Sequence, residues 1–448
     1  MNTDMLGNPI TDTVPELIGG LNDFIQGFIA YQTQAVAILG LIDDHPDSCL
    51  GNAYAGFLWM FLEAPEAPAK AAPYRDRALA AAGTPRELAN AQVLAAWVAG
   101  DIPQTIHLCE EIAKAHPTDH AIIKLGQYHQ FNQGDAAGML RMALHALPAS
   151  ANAPYIHGMI AFGYEQCHLI EDAEAAARRA LEIEPTDPWA HHALAHVMLT
   201  QGRVDEGIAF MESVAPMWAE LNSFMHTHNW WHLALFYISR DRQTDVLATY
   251  DSHVWGREKT YSQDQIGAVS LLARMEFAGV NVGDRWRDVA EHIAARGADT
   301  VSPFLTLQYL YALSHAGLPQ ADEMLSAIEN RTQTESYDKI AWAEVALPAA
   351  QGIIAHAQGD WQKAARDLGR ALPRLSEIGG SHAQRDFFDQ IHLDALVKGG
   401  EASAAQQILE MRRTYDPDGI PLNRLLAQVY ERAGLPAQAQ KARARLTV

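Results

Sequence analysis

The sequence predicts an all-α protein built from repeated helical hairpins stacked into a solenoid. Three observations predict it. Apolar residues recur at helical spacing along most of the 448 residues, often on Ala-rich faces, while strand signals are scarce. Gly, Pro and Asp interrupt these runs at intervals of about one helix. The same spacing of small residues then returns in several segments, as in repeat proteins.

The opening "MNTDMLGNPITDTVPEL" is polar and acidic, so neither a secretory signal nor a membrane anchor is expected there. "AAWVAGDIPQTIHLCEEI", closed by Pro117, reads as an early hairpin. "IHGMIAFGYEQCHLIEDAEAAARRALEIEP" places Ala161, Tyr164, Ala173, Ala177, Ala180 and Pro185 at the spacing of the tetratricopeptide pattern. Two antiparallel helices approach closely only where side chains are small, and a proline suits the start of the next unit. Leu194, Ala195, Gly207 and Pro216 continue in phase, as do Gly352, Ala364, Leu368 and Ala371, and then Ala427, Tyr430 and Ala439. At roughly 34 residues per unit the chain holds about a dozen hairpins.

The Pro/Gly seams at 63–73, 147–154 and 379–381 are too short to be flexible linkers. One repeat domain over 1–448 is therefore expected, with degenerate repeats in 1–150, signature-bearing repeats in 151–400, and a C-terminal repeat or cap in 401–448. A solenoid of this length curls and encloses its concave face.

A net charge of −21 supplies no basic footprint for nucleic acid or anionic lipid. No apolar run approaches membrane-spanning length. Cys49, Cys109 and Cys167 lie far apart and form no CxxC, so no disulfide framework is expected. The cytoplasm is the expected compartment.

Two stretches fall outside the repeat pattern. In "HTHNWWHLALFY", Trp230, Leu233, Ala234 and Tyr237 take the packing positions of a first helix. His228, Trp231 and His232 then face the concave side. In "PWAHHALAHVML", His191 sits on the packing seam, and Trp189, His192 and His196 face the same space. Eight of the 20 histidines fall between 157 and 232. His192/His196 and His228/His232 are i,i+4 pairs, each on one helix face. HxxxH without the acid of HExxH, and with no phased carboxylate, makes a divalent metal the lesser reading, and no cofactor is expected. Imidazoles with aromatic planes suit acid–base work or a small-molecule site better.

The other stretch is "GGSHAQRDFFDQIHLDAL". Ser381 or His382 caps a helix whose first turn carries His382, Arg385 and Asp386. An arginine there opposes the helix dipole, which points to a carboxylate or an anionic ligand as its partner. A salt bridge to the next repeat is the plainer alternative.

"THNWWHLALFYI", "GDRWRDVAEHI" and "GDWQKAARDLGRALPRLSEIGGSHAQRDFF" resemble the tetratricopeptide repeat protein 38 family over about 155–400. The resemblance implies a closed helical-repeat architecture and no settled activity. His228, Asn229, Trp230, Trp231 and His232 fall on its first signature, and Ser381, His382, Gln384, Arg385 and Asp386 on its second. An Asp-Leu-His-like triplet of the family reads Thr306-Leu307-Gln308 here. Any chemistry that depends on that Asp and His is lost or altered in this chain.

The functional expectation is a pocket for a small, anionic or polar molecule, lined by Trp189, His192, His196, His228, Trp231, His232, His382, Arg385 and Asp386. Histidine acid–base chemistry is compatible with it, and whether the protein is an enzyme stays open. The alternative is a scaffold binding a peptide or protein segment in its concave groove. Partners are then a small molecule or peptide, without nucleic acid or membrane, and self-association stays open.

Overall fold

The hairpins are set by a recurring Gly-Asp step. Gly100, Gly134 and Gly359 take positive φ of 75°, 70° and 76° just past a helix end. Asp101, Asp135 and Asp360 follow at once, each accepting a backbone amide three residues on as the N-cap of the next helix. The chain thus reverses within two residues, and the helices on either side pack antiparallel.

In this computed structural model, residues 2–447 are described. Their regular structure is helical, apart from one short antiparallel pair that matches Asn2 with Ile10 and Thr3 with Pro9 and an isolated bridge between Gln32 and Leu221. No described helix is long and apolar enough to cross a membrane. The three cysteines are free thiols.

The chain forms two compact units, residues 1–194 with 219–225, and residues 195–218 with 226–448. The boundaries fall inside the helices Pro188–Thr200 and Ser223–Ser239, not at the proline-rich seam near 150.

In the first unit, helix Pro15–Ala30 precedes the hairpins Cys49–Met60/Ala67–Ala80, Pro85–Val98/Ile102–Ala115, His120–Asn132/Ala136–Ser150 and Ile156–Gln166/Ile170–Ile183. Ala161, Ala173, Ala177 and Ala180 are all buried, as close helix approach requires. A polar core holds Arg86 between Asp4 and Asp119, at 3.1 and 2.8 Å. A second polar group lies at the end of Pro15–Ala30. Lys124 donates to the carbonyls of Phe28 and Ile29 at 2.7 Å, and its ammonium sits 3.1 Å from the Tyr31 ring centre. Burial pulls its pKa well down.

The buried imidazoles of this unit carry a pH dependence. Burial pushes His129 down to about 3 and His191 down to about 4. An unfolded chain protonates these rings near pH 6.5, and the folded one does not until about pH 4 to 3. Acid therefore favours unfolding throughout that window. Asp187, raised to about 7 by burial, works in the opposite sense and offsets part of the effect. The urea midpoint of this unit is expected to fall between pH 7 and pH 5, and His129→Phe to flatten the fall. A midpoint independent of pH in both proteins would contradict it.

In the second unit the first helices include Ser223–Ser239, Ser262–Phe277, Pro303–His315, Leu347–Ala357, His382–Lys398 and Ile420–Arg432. Their partners include Val204–Val214, Arg285–Ala294, Gln320–Arg331, Trp361–Ala371, Ala402–Arg413 and Pro436–Ala444. At Gly352 a Cβ would stand 2.9 Å from the backbone nitrogen of Leu368, so glycine alone permits that helix contact. Tyr309 and Tyr311 are core residues, and His356 bonds Asp394 at 2.7 Å across a helix pair.

This unit also curls far enough for distant segments to touch. The Ser239 hydroxyl donates to the Asp416 carboxylate at 2.9 Å across 177 residues. Arg424 pairs with Asp241 at 2.5 Å across 183.

Candidate functional site

The expected residues divide between the two units. In the first, Asp187 N-caps helix Pro188–Thr200 by accepting from the amides of Trp189 and Ala190, at 2.9 and 3.2 Å. That cap orients the first helical turn. Trp189 stacks on His192 with ring centres 4.4 Å apart. Phe162 meets both rings, at 4.7 and 5.0 Å, and Tyr31 lies 5.3 Å from Trp189.

In the second unit Trp230 packs between helices, as its phase predicts. It stacks on His253 at 3.8 Å and meets Trp218 edge-on at 5.4 Å. One residue on, Trp231 turns inward and is 2% exposed, and its indole N–H has no hydrogen-bond partner. The i,i+4 pair His228/His232 has ring centres 4.8 Å apart and planes at 89°. His196 lies 4.5 Å from His232. His228 stacks along Trp231 at 5.5 Å, and burial pushes its pKa down to about 3, so it is neutral at pH 7.

The glycine-rich turn of the second signature reaches the same place. Ser381 caps helix His382–Lys398 through a reciprocal box with Gln384. That cap presents His382, whose ring centre is 5.2 Å from His196 and whose Nε2 is 3.3 Å from the Thr200 hydroxyl. At Gly380 (φ 78°) a Cβ would enter the Phe304 ring at 2.5 Å, so the turn tolerates glycine only. Residues 186 positions apart in the chain thus share one cluster.

Arg274 is the buried cation beside this cluster, and sequence reasoning missed it. It is 3% exposed and lies 5.2 Å from the Trp231 ring centre. It donates to the Ala383 carbonyl at 2.7 Å and to the Ser270 hydroxyl, and it stands 3.7 Å from Asp386. Burial lowers it to about 10, which leaves it charged at pH 7. The available signal was a single arginine within the apolar run "LLARMEF".

Arg385 and Asp386 take different partners. Arg385 points back and donates to the Gly380 carbonyl. Asp386 instead takes Arg412 of the next hairpin at 2.5 Å, the plainer salt-bridge alternative. Burial alone would raise the Asp386 pKa, but Arg412 and then Arg274 outweigh it and hold it near 2. Asp389, one turn on, is pushed up to about 6 by burial and by Asp386. Asp386 thereby holds Arg274 in place. Thr306 and Gln308 are buried, and they bond the Asp299, Ser302 and Phe304 carbonyls.

An open cleft of about 450 Å³ lies elsewhere, lined by Gln362, Ala365, Arg366, Leu396 and Glu401. It brings together no imidazole or aromatic ring.

Residues 170–217 match a tetratricopeptide repeat family model. Among solved structures, the chain is similar to a human IFIT1 dimer with PPP-AAAA (12% identity, 95% of this chain and 98% of that one, TM-score 0.42). It is also similar to the Cut9–Hcn1 hetero-tetramer of APC/C (11%, 94% and 90%, TM-score 0.29) and to yeast Tom70 (11%, 90% and 91%, TM-score 0.30). The matched repeat and the stacked helical hairpins make this chain a tetratricopeptide-type helical-repeat protein.

Proposed function

We propose that the second unit binds a small, anionic or polar molecule at the cluster of His196, His228, Trp231, His232, Arg274 and His382. The observation that carries this reading is the convergence of imidazoles from three helices beside a buried, charged guanidinium. Burying an arginine is costly unless its charge is used, and Asp386 answers only part of it from 3.7 Å. The unpartnered indole N–H of Trp231 adds a donor that a polar ligand or a water would satisfy. Histidine acid–base chemistry belongs to this reading, with His228 entering it as a neutral ring at pH 7.

Trp189 and His192 form a stacking surface within the first unit, and we include them as candidate ligand contacts there. Arg385 and Asp386 serve the site by holding the Gly380 turn and Arg274. The resemblance to the tetratricopeptide repeat protein 38 family belongs to this reading, since both of its signatures supply residues of the cluster. A peptide-binding scaffold is the competing reading. The net charge of −21 weighs against a polyanionic partner for either.

Native mass spectrometry of protein purified without chelator, with a thermal-shift screen of small phosphates and carboxylates, tests the proposal. Retained mass, or a rise in Tm with at least one anion, is expected. Both effects should weaken at least about tenfold in Arg274→Gln and in His228→Ala, as for a lost charge-assisted contact. No retained mass and no anion-dependent rise would overturn the reading and favour the scaffold.

A further inference from the structure

We propose that His196, His228, His232 and His382 bind a single divalent transition-metal cation. This rests on the reading of the cluster as a ligand site and names what occupies its centre.

The argument is geometric. His228 and His232 have ring nitrogens within 4.8 Å of each other, and so do His196 and His382. The contact of His196 with His232 joins the two pairs, with ring centres 4.5 Å apart. Two imidazoles on one tetrahedral ion, each with a metal–nitrogen bond of about 2.0–2.1 Å, have ring centres about 5 Å apart. The three contacts here span 4.5 to 5.2 Å. Bringing one nitrogen from each of the four rings onto one ion requires side-chain rotamer adjustment.

Ring orientation permits ligation. Packed aromatic pairs meet either stacked, as Trp230 does on His253 with planes 6° apart, or edge-on, as Trp230 does on Trp218 at 89°. The cluster's rings stand at 53°, 81° and 89° to one another. That arrangement can direct ring edges, where the nitrogens lie, toward a common point.

The surroundings fit as well. Nε2 of His382 lies 3.3 Å from the Thr200 hydroxyl, so a metal on Nδ1 would leave Nε2–H to donate there. Such an outer-shell hydrogen bond would orient the ligating ring. Trp231, edge-on to His232 at 4.8 Å, supplies an apolar wall. Asp386, held ionised, offsets the charge of Arg274 and limits its repulsion of a cation. A set of imidazoles selects Zn²⁺, Co²⁺, Ni²⁺ or Cu²⁺ over Mg²⁺ and Ca²⁺, which want hard oxygen ligands. An anion held by Arg274 would then approach the ion as an added ligand.

The test strips the full-length protein with EDTA and titrates it with Co²⁺, read by visible absorption and by bound-metal analysis. One equivalent is expected, with the intense d–d bands of a tetrahedral Co²⁺ site, displaced by Zn²⁺. Affinity should fall at least about tenfold in His232→Ala and in the half-buried His382→Gln, as when a site loses a supporting group. His253→Ala, which lies outside the cluster, should leave it unchanged. No binding, or equal binding by wild type and both cluster variants, overturns the inference. If either cluster variant fails to fold, the other decides. The anion screen repeated in EDTA separates the two readings. Anion binding that persists while Co²⁺ binding is absent sinks the metal alone, and loss of both sinks the ligand site as well.

Discussion

Replacing Arg86 by alanine is expected to destabilise the first unit by about 3–5 kcal/mol, the cost of stranding buried charge. The guanidinium is 2% exposed, and the carboxylates on either side, Asp4 and Asp119, are 0% and 1% exposed. Neither carboxylate can turn to water. Asp119 also caps helix His120–Asn132 by accepting from the Ile122 amide at 3.3 Å, and Asp4 accepts from the amides of Leu6 and Asn8. Burial already raises the Asp4 pKa, with Arg86 the main force opposing it. Without Arg86, two acids face one dry space, and at least one must take up a proton or drag in water. Hydrogen exchange of the His120–Asn132 amides under increasing denaturant would read the loss within this unit, where a whole-chain melt would mix two units. Asp4→Asn added to Arg86→Ala should recover part of it. A loss below about 1 kcal/mol would show that the charges are not desolvated as the geometry requires.

Asp386→Ala is expected to cost the second unit about 2–3 kcal/mol, as for charge-assisted hydrogen bonds. The figure is below that for Arg86 because the Asp386 side chain keeps 29% exposure, which moderates the pairing. The change removes from buried Arg274 the carboxylate it stands 3.7 Å from, and leaves Arg412 without its bidentate partner at 2.5 and 3.2 Å. It should also weaken anion binding while His228 and His232 remain in place, since it moves the cation and not the imidazoles. The wild-type pair carries a pH signature. Asp386 is held near 2 against an unfolded value of about 3.9, so its stabilisation is full above about pH 4 and disappears as pH falls toward 2. Arg412→Ala in a double-mutant cycle with Asp386→Ala measures the coupling. Additive effects would show that Asp386 and Arg412 are not coupled.

The sequence by itself determined the local structure. Helical spacing and buried alanines such as Ala173 and Ala177 are properties of neighbouring residues and follow the sequence reading, and the Gly and Asp interruptions become turns such as Gly100-Asp101. The packing role of Trp230 follows that reading as well, and the cap left open between Ser381 and His382 falls to Ser381. Candidate chemistry was legible where it departed from the repeat, as in the histidines of 226–232.

Tertiary structure alone decided the rest. The i,i+4 spacing of His228 and His232 is local, but their meeting with His196 and His382 depends on curvature, which accumulates from small rotations at every hairpin. Arg274 could not be assigned from the sequence, because one arginine in an apolar helix says nothing of the distant Asp386 and Ala383 that receive it. Arg412 was hidden for the same reason. The boundary between the two units falls inside the helices Pro188–Thr200 and Ser223–Ser239, where an unbroken helical pattern carries no mark of it. Periodicity reports which face of a helix is buried, and only packing reports what that face meets.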